Sequence, residues 1–212
     1  MSKFHYSEKF FSLQAEGRYV GVPSVFLRMF GCNFRCKNFG RDKNEVITGS
    51  NPDVAVVIKN IDQYKSIADL PLVKTGCDSY MSIYPEFKRF VYKETADELA
   101  VNLVDLLPFK HWEDEHLVIT GGEPLIAGWQ KLYPDLLENK LMHSLKELTF
   151  ETNGTQPVTQ EFENYLNRNW FEYSEYNEAR SYDSLTFSVS PKLSCSGEKR
   201  EDAIKPYIVC NY

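Results

Sequence analysis

The sequence predicts an α/β fold built on a parallel sheet. Short apolar runs that read as strands alternate with stretches of helical periodicity. Four of those runs end in a polar or glycine-rich cluster. Hydrophobic residues make up 42% of the 212 residues and charged residues 25%, which supports a packed core and argues against wholesale disorder. The length fits one sizeable domain, residues 1–212.

Residues 24–29 (SVFLRM) read as the first strand, ending at Phe30-Gly31-Cys32. Thr95 and Glu98 make a capping box, and Leu99, Leu103 and Leu106 follow at helical spacing. Residues 116–120 (HLVIT) form a second strand that runs straight into Gly121-Gly122-Glu123-Pro124. A helix is expected over 136–145, a third strand over 147–152 (ELTFET), a further helix over 159–171 and a fourth strand over 185–190 (LTFSVS). In parallel α/β folds the loops at the carboxyl ends of the strands open on one face, where ligands bind. The clusters GC, TGGEP, ETNGT and SPK are therefore expected to converge on one site. Residues 37–76 differ in character, mixing polar and turn-forming residues, and read as an insertion between two chemically loaded positions. The chain shows no internal repeat and no low-complexity tract.

Lys plus Arg is 24 and Asp plus Glu is 30, giving a net charge of −6, which argues against nucleic-acid binding by general electrostatics. No apolar run approaches the ~20 residues needed to cross a bilayer. The first residues lack the apolar stretch of a signal peptide, so a cytoplasmic protein that is neither secreted nor membrane-bound is expected.

Five cysteines, an odd number without an export signal, disfavour a disulfide framework. Cys32 and Cys36 sit four apart just after the first strand, close enough to share one metal centre; Cys77, Cys195 and Cys210 are singletons. A structural zinc site wants four ligands, often as two close pairs, and no second pair exists. Three cysteines on an iron–sulfur cube would instead leave one iron open to a small ligand. On spacing alone CxxxC remains a weak signal. His5, His111, His116 and His143 show no clustering in the sequence.

The surroundings of Cys32 are more specific. The segment LQAEGRYVGVPSVFLRMFGCNFRC, residues 13–36, resembles the opening of the 7-carboxy-7-deazaguanine synthases, radical S-adenosylmethionine enzymes that read LQGEG and then GxPxxFxRxxGCNxxC. The family's TGGEP, ETxGT and VSPK follow in order at Thr120 to Pro124, Glu151 to Thr155 and Val189 to Lys192. The resemblance covers roughly residues 5 to 195. One element departs: the usual CxxxCxxC meets Phe39 at its third position. Gly76-Cys77-Asp78-Ser79-Tyr80 matches the context of the missing cysteine, so residues 37–76 read as an enlarged cluster loop.

The resemblance implies a partial, TIM-barrel-like parallel sheet of the radical S-adenosylmethionine type. It implies conversion of 6-carboxy-5,6,7,8-tetrahydropterin to 7-carboxy-7-deazaguanine with loss of ammonia, a step toward queuosine-type 7-deazapurines. Cys32, Cys36 and Cys77 would hold a [4Fe–4S] cluster. Gly121, Gly122, Glu123, Ser190, Pro191 and Lys192 would bind S-adenosylmethionine, and Leu13, Gln14, Ala15, Arg28 and Thr120 the carboxypterin. Ala15 stands where the family has glycine. Ser79 stands where the family has a Mg²⁺-binding threonine and keeps the hydroxyl. No catalytic side chain is expected beyond the cofactor. Arg28 stands among apolar neighbours, where a guanidinium calls for an anionic partner.

A flavodoxin- or ferredoxin-like electron donor is the expected partner. Only twenty residues follow Lys192, fewer than the ~30 a further βαβ unit needs, so either truncation or completion by a partner is expected, and a homodimer is one form of the latter. The other readings are an activase for anaerobic ribonucleotide reductase, and a non-catalytic interaction protein on a degenerate radical fold.

Overall fold

The computed structural model describes residues 2–42, 49–171 and 184–212. Residues 43–48 of the expected insertion lie outside the described residues. A six-stranded sheet organises the chain, in the order β3-β1-β2-β4-β5-β6. The strands are β1 (Phe4–Leu13), β2 (Pro23–Met29), β3 (Tyr92–Glu94), β4 (His116–Gly121), β5 (Glu147–Thr152) and β6 (Ser184–Val189). The four strands expected from the sequence are β2, β4, β5 and β6, and they pair parallel in register, with Arg28 opposite Thr120 and Glu147 opposite Ser184. The α/β fold and the parallel pairing of these four strands agree with the sequence reading.

The sheet is not wholly parallel. β1 and β3 were not foreseen, and both pair antiparallel, β1 along β2 and β3 on the edge. The β1–β2 register slips between Tyr6 and Glu8. One extra residue flips every later side chain to the other face of the sheet. Phe4 and Tyr6 accordingly enter the main core, whereas Phe10 and Ser12 face the opposite side.

That core lies between the sheet and one layer of helices. Val25, Leu27 and Met29 of β2, Leu117 and Ile119 of β4, and Leu148 and Phe150 of β5 alternate inward, as residues two apart must. Helix α1 (Pro52–Lys59) belongs to the insertion, and α2 (Ala96–Val104) is the first in the layer over the sheet. Thr95 caps α2 through a reciprocal box with Glu98, and Leu99, Ala100 and Leu103 are fully buried. α3 (Ala127–Gln130) and α4 (Tyr133–Leu137) follow β4, and α5 (Gln160–Leu166), capped by Thr159, follows β5. The helix expected over 136–145 is broken: α4 stops at Leu137, and Asn139 caps a separate 3₁₀ turn by accepting from the Leu141 amide. The helix expected over 159–171 is α from Gln160 to Leu166 and passes into a π-turn from Asn167 to Phe171. Two short helices, α6 (Arg200–Ala203) and α7 (Pro206–Val209), close the described chain.

The insertion and the turns that follow it have a smaller core of their own, in which Val54, Val57, Ile67, Leu70, Tyr80 and Phe87 bury one another. Its two ends are clasped together. Asn51 is fully buried, caps α1 through Asp53 N and Val54 N, and donates to the Lys37 carbonyl at 3.0 Å and to Thr75 Oγ1. Asp53 accepts from both the amide and the hydroxyl of Thr75. The Gly76 amide bonds Phe39 O at 2.8 Å, and a Cβ on Gly76 would meet Asn51 Nδ2 at 2.5 Å. Chain leaving near Lys37 is thus returned beside its starting point at Gly76. No described helix is long and apolar enough to cross a membrane.

Candidate functional site

A cleft of about 440 Å³ opens at the carboxyl ends of the parallel strands. The sheet's second face supplies it: Phe26 and Arg28 from β2, Thr120 from β4 and Glu151 from β5, with Phe10 and Ser12 from β1. Cys32, Cys36 and Cys77 line the same cleft, brought together by the Asn51 clasp although most of the insertion separates the last two. Burial pushes all three thiols up: Cys32 to about 12, Cys77 to about 11, and Cys36 further still. The Lys192 charge opposes the rise at each of them. Cys195 and Cys210 are exposed and lie outside the cleft.

Gly121 and Gly122 also line the cleft, but their missing side chains serve a chain–chain approach. A Cβ on Gly121 would sit 2.3 Å from Met29 O, and one on Gly122 would sit 2.2 Å from Gly31 O and 2.9 Å from Cys32 Cβ. Only glycine lets the end of β4 lie against the cysteine loop so closely. Contact with Met29 and Gly31 therefore requires glycine at both positions, and the same backbone edge borders the cleft. Glu123 is fully buried and does not line the cleft. Its carboxylate accepts from Leu125 N, Thr152 Oγ1 and Asn153 N, so it ties the end of β4 to the end of β5. Burial pushes its carboxyl up despite those bonds.

Ser190 and Lys192 line the cleft, and Ser190 N bonds Thr152 O at 2.8 Å. Pro191 faces the other way, into an apolar cavity of about 300 Å³ shared with Gly154, Val189 and Val209. Leu13, Gln14, Ala15 and Thr120 all line the cleft. Gln14 is buried and donates through Nε2 to Glu151 Oε1 at 2.9 Å. The anionic partner that Arg28 calls for is Glu8, which accepts from Nε at 2.8 Å, while Nη1 donates to Ser79 Oγ at 2.7 Å. Ser79 in turn donates to Asp78 Oδ1 at 3.1 Å.

Glu8, Asp78, Glu151 and Asn153 are polar groups at this site that spacing alone did not single out. Glu151 opens the ETNGT cluster, whose place at a strand end was the available signal. At the opposite end of the sheet His111 and His143 share one shallow cavity, although the sequence showed no clustering of histidines. Among the described residues, no group of three or more His, Cys, Asp or Glu side chains closes on a single metal ion. Three soft thiols around one cleft are the type of donor that iron–sulfur clusters take.

No family model matches the chain. Curated relatives do. A 7-carboxy-7-deazaguanine synthase of Methanopyrus kandleri is 31% identical over 156 residues, 71% of this chain and 48% of that protein. The protein of that name from Buchnera aphidicola is 28% identical over 152 residues, covering 72% and 55%. The one from Pyrobaculum aerophilum is 27% identical over 194 residues, covering 91% and 56%. All eight relatives matched carry this one name.

Over these stretches the chain is similar to the 7-carboxy-7-deazaguanine synthases. It spans about half the length of the curated relatives it matches. The crystal structure of QueE from Escherichia coli superposes with a TM-score of 0.41 and 20% identity, covering 90% of this chain and 60% of that one. The cysteine loop is continuous with the smaller core: Cys32 and Cys77 both pack against the cluster built on Val54, Tyr80 and Phe87.

Proposed function

We propose that the chain carries the radical S-adenosylmethionine chemistry of these synthases, converting 6-carboxy-5,6,7,8-tetrahydropterin to 7-carboxy-7-deazaguanine with loss of ammonia. The observation that carries this reading is one cleft lined by three thiols, Cys32, Cys36 and Cys77, and by the Arg28 guanidinium. A [4Fe–4S] cluster held by those thiolates would supply the single electron with which S-adenosylmethionine is cleaved. The thiols must lose their protons to serve as ligands, and the Lys192 ammonium lowers the cost of gathering that negative charge.

The protein's part is binding, orientation and exclusion of water. Ser190, Lys192 and the Gly121–Gly122 edge are assigned to S-adenosylmethionine, with Pro191 shaping the turn behind them. Glu123 is assigned a supporting role, holding the ends of β4 and β5 in place. Leu13, Gln14, Ala15 and Thr120 are assigned to the carboxypterin, joined by Glu151 through its bond to Gln14. Arg28 uses Nε on Glu8 and Nη1 on Ser79, which leaves Nη2 for the substrate carboxylate. Mg²⁺ is assigned to Ser79 with Asp78, hard oxygens of the kind it takes.

The electron is expected from a flavodoxin- or ferredoxin-like donor. The test is anaerobic reconstitution with iron and sulfide, followed by incubation with S-adenosylmethionine, reductant and carboxypterin and mass spectrometry of the product. Appearance of 7-carboxy-7-deazaguanine supports the proposal. A reconstituted chain that cleaves S-adenosylmethionine and never forms that product refutes the substrate, and one that takes up no cluster refutes the chemistry.

A further inference from the structure

Glu198 lies outside every motif discussed above, six residues beyond Lys192. Its Oε1 accepts from two successive backbone amides of the cysteine loop, Arg35 N at 2.9 Å and Cys36 N at 2.7 Å. Cys36 has φ 45, the left-handed region that a side chain rarely adopts. Successive amides ending in a left-handed residue form a concave anion cradle, and here the anion is a side chain of the same protein. Charge-assisted bonds to two amides oppose the strain of that conformation.

The rest of the segment is built around the same contact. Asn38 N bonds Ser196 O at 3.1 Å, and Gly197 lies so close to Asn38 that a Cβ would meet its side chain at 2.7 Å. Ser196 is fully buried, and its hydroxyl accepts from the Glu198 amide at 3.2 Å. Ala203 of α6 packs with Phe34 and Cys36. Arg35 turns outward instead, its guanidinium over the Tyr84 ring and bonded to the Cys32 and Phe34 carbonyls.

We infer that Glu198 is a positioning residue for the cleft: its carboxylate clamps the Arg35–Cys36 turn so that the Cys36 thiol is presented beside Cys32 and Cys77. The inference rests on the proposed role of the three thiols, but the clamp acts on the chain with or without a cluster. It also gives the segment after Lys192 a task in the site, as a brace behind the cysteine loop.

The experiment alkylates the metal-free parent, Glu198→Ala and Glu198→Gln with limiting iodoacetamide under anaerobic conditions, and reads Cys32, Cys36 and Cys77 separately by peptide mass spectrometry. In Glu198→Ala the Cys36 rate should rise at least tenfold relative to the other two, since each of the two charge-assisted hydrogen bonds lost is worth about that factor. Glu198→Gln keeps an acceptor oxygen and should show a smaller rise, still confined to Cys36. An unchanged Cys36 rate in Glu198→Ala overturns the inference. If Glu198→Ala unfolds, all three rates rise together and Glu198→Gln decides, with no selective rise at Cys36 counting against the clamp. Iron and sulfide uptake by the parent is measured alongside. A parent that takes up no cluster defeats the functional reading, while the alkylation contrast still decides the clamp.

Discussion

The Arg28 guanidinium donates through Nη1 to Ser79 Oγ at 2.7 Å, joining the end of β2 to the residue two places beyond Cys77. Arg28 is therefore held at both edges, by Ser79 on one side and by Glu8 on the other. This fixes the plane of the guanidinium before any ligand arrives, so that Nη2 is already oriented for a carboxylate.

Arg28→Lys should weaken use of the carboxypterin and spare cleavage of S-adenosylmethionine. Lysine keeps the charge but has no planar fork with which to span Glu8, Ser79 and a carboxylate. Loss of one charge-assisted bond corresponds to about 1.5–3 kcal/mol, a rise in KM of tenfold or more. Steady-state kinetics with product and 5′-deoxyadenosine measured in parallel check this. Equal loss of both would mean that Arg28 supports the loop and not the substrate.

Gly122→Ala should destabilise the protein by about 1–3 kcal/mol, because the added methyl overlaps Gly31 O and Cys32 Cβ and neither can move without the cysteine loop. Gly128→Ala is the control, since a Cβ there meets nothing within 4 Å. It lies in α3, where alanine should be neutral or mildly stabilising. Thermal melts of the two variants beside the parent test the contrast. Equal effects would contradict the close approach described at Gly122.

Much of this was legible in the sequence. The alternation in HLVIT, ELTFET and LTFSVS placed β4, β5 and β6 within a residue or so of their observed ends, because each presents one apolar face to a single helix layer. β1 was missed because the slip between Tyr6 and Glu8 breaks its two-residue period, so apolar residues turn up on both faces. β3 has only three residues, too few to show any period. The strand-end clusters did converge, and thirteen of the fifteen residues singled out line the cleft; Glu123 and Pro191 are the two that face elsewhere. The Glu8–Arg28 pair, the Asn51 clasp and the Glu198 cradle were not legible. Each joins residues far apart in the chain through one side chain, and no local spacing records such a contact.

Stability should fall in mild acid, and His116 is one cause. Burial lowers its pKa from the ordinary 6.5, more than the neighbouring carboxylates Glu147 and Glu151 raise it. The unfolded chain then binds a proton that the folded one resists, so its contribution is complete above about 6.5 and drains away as pH falls from there toward the lowered folded value. Urea unfolding at a series of pH values should show this slope, and His116→Gln should flatten it by removing the titration. A slope unchanged in the variant would assign the acid sensitivity to other groups.

The central claim is that Cys77, across the insertion from Cys36, completes the set of three thiolates. Its most direct measurement is iron and sulfide per chain after anaerobic reconstitution of the parent, Cys77→Ala and Cys195→Ala, read with the reductive cleavage of S-adenosylmethionine. The account predicts that Cys195→Ala matches the parent in both, since Cys195 is exposed and outside the cleft. It predicts that Cys77→Ala loses stable cluster content and cleavage together. A Cys77→Ala protein that keeps a full cluster and cleaves S-adenosylmethionine at the parent rate would contradict it.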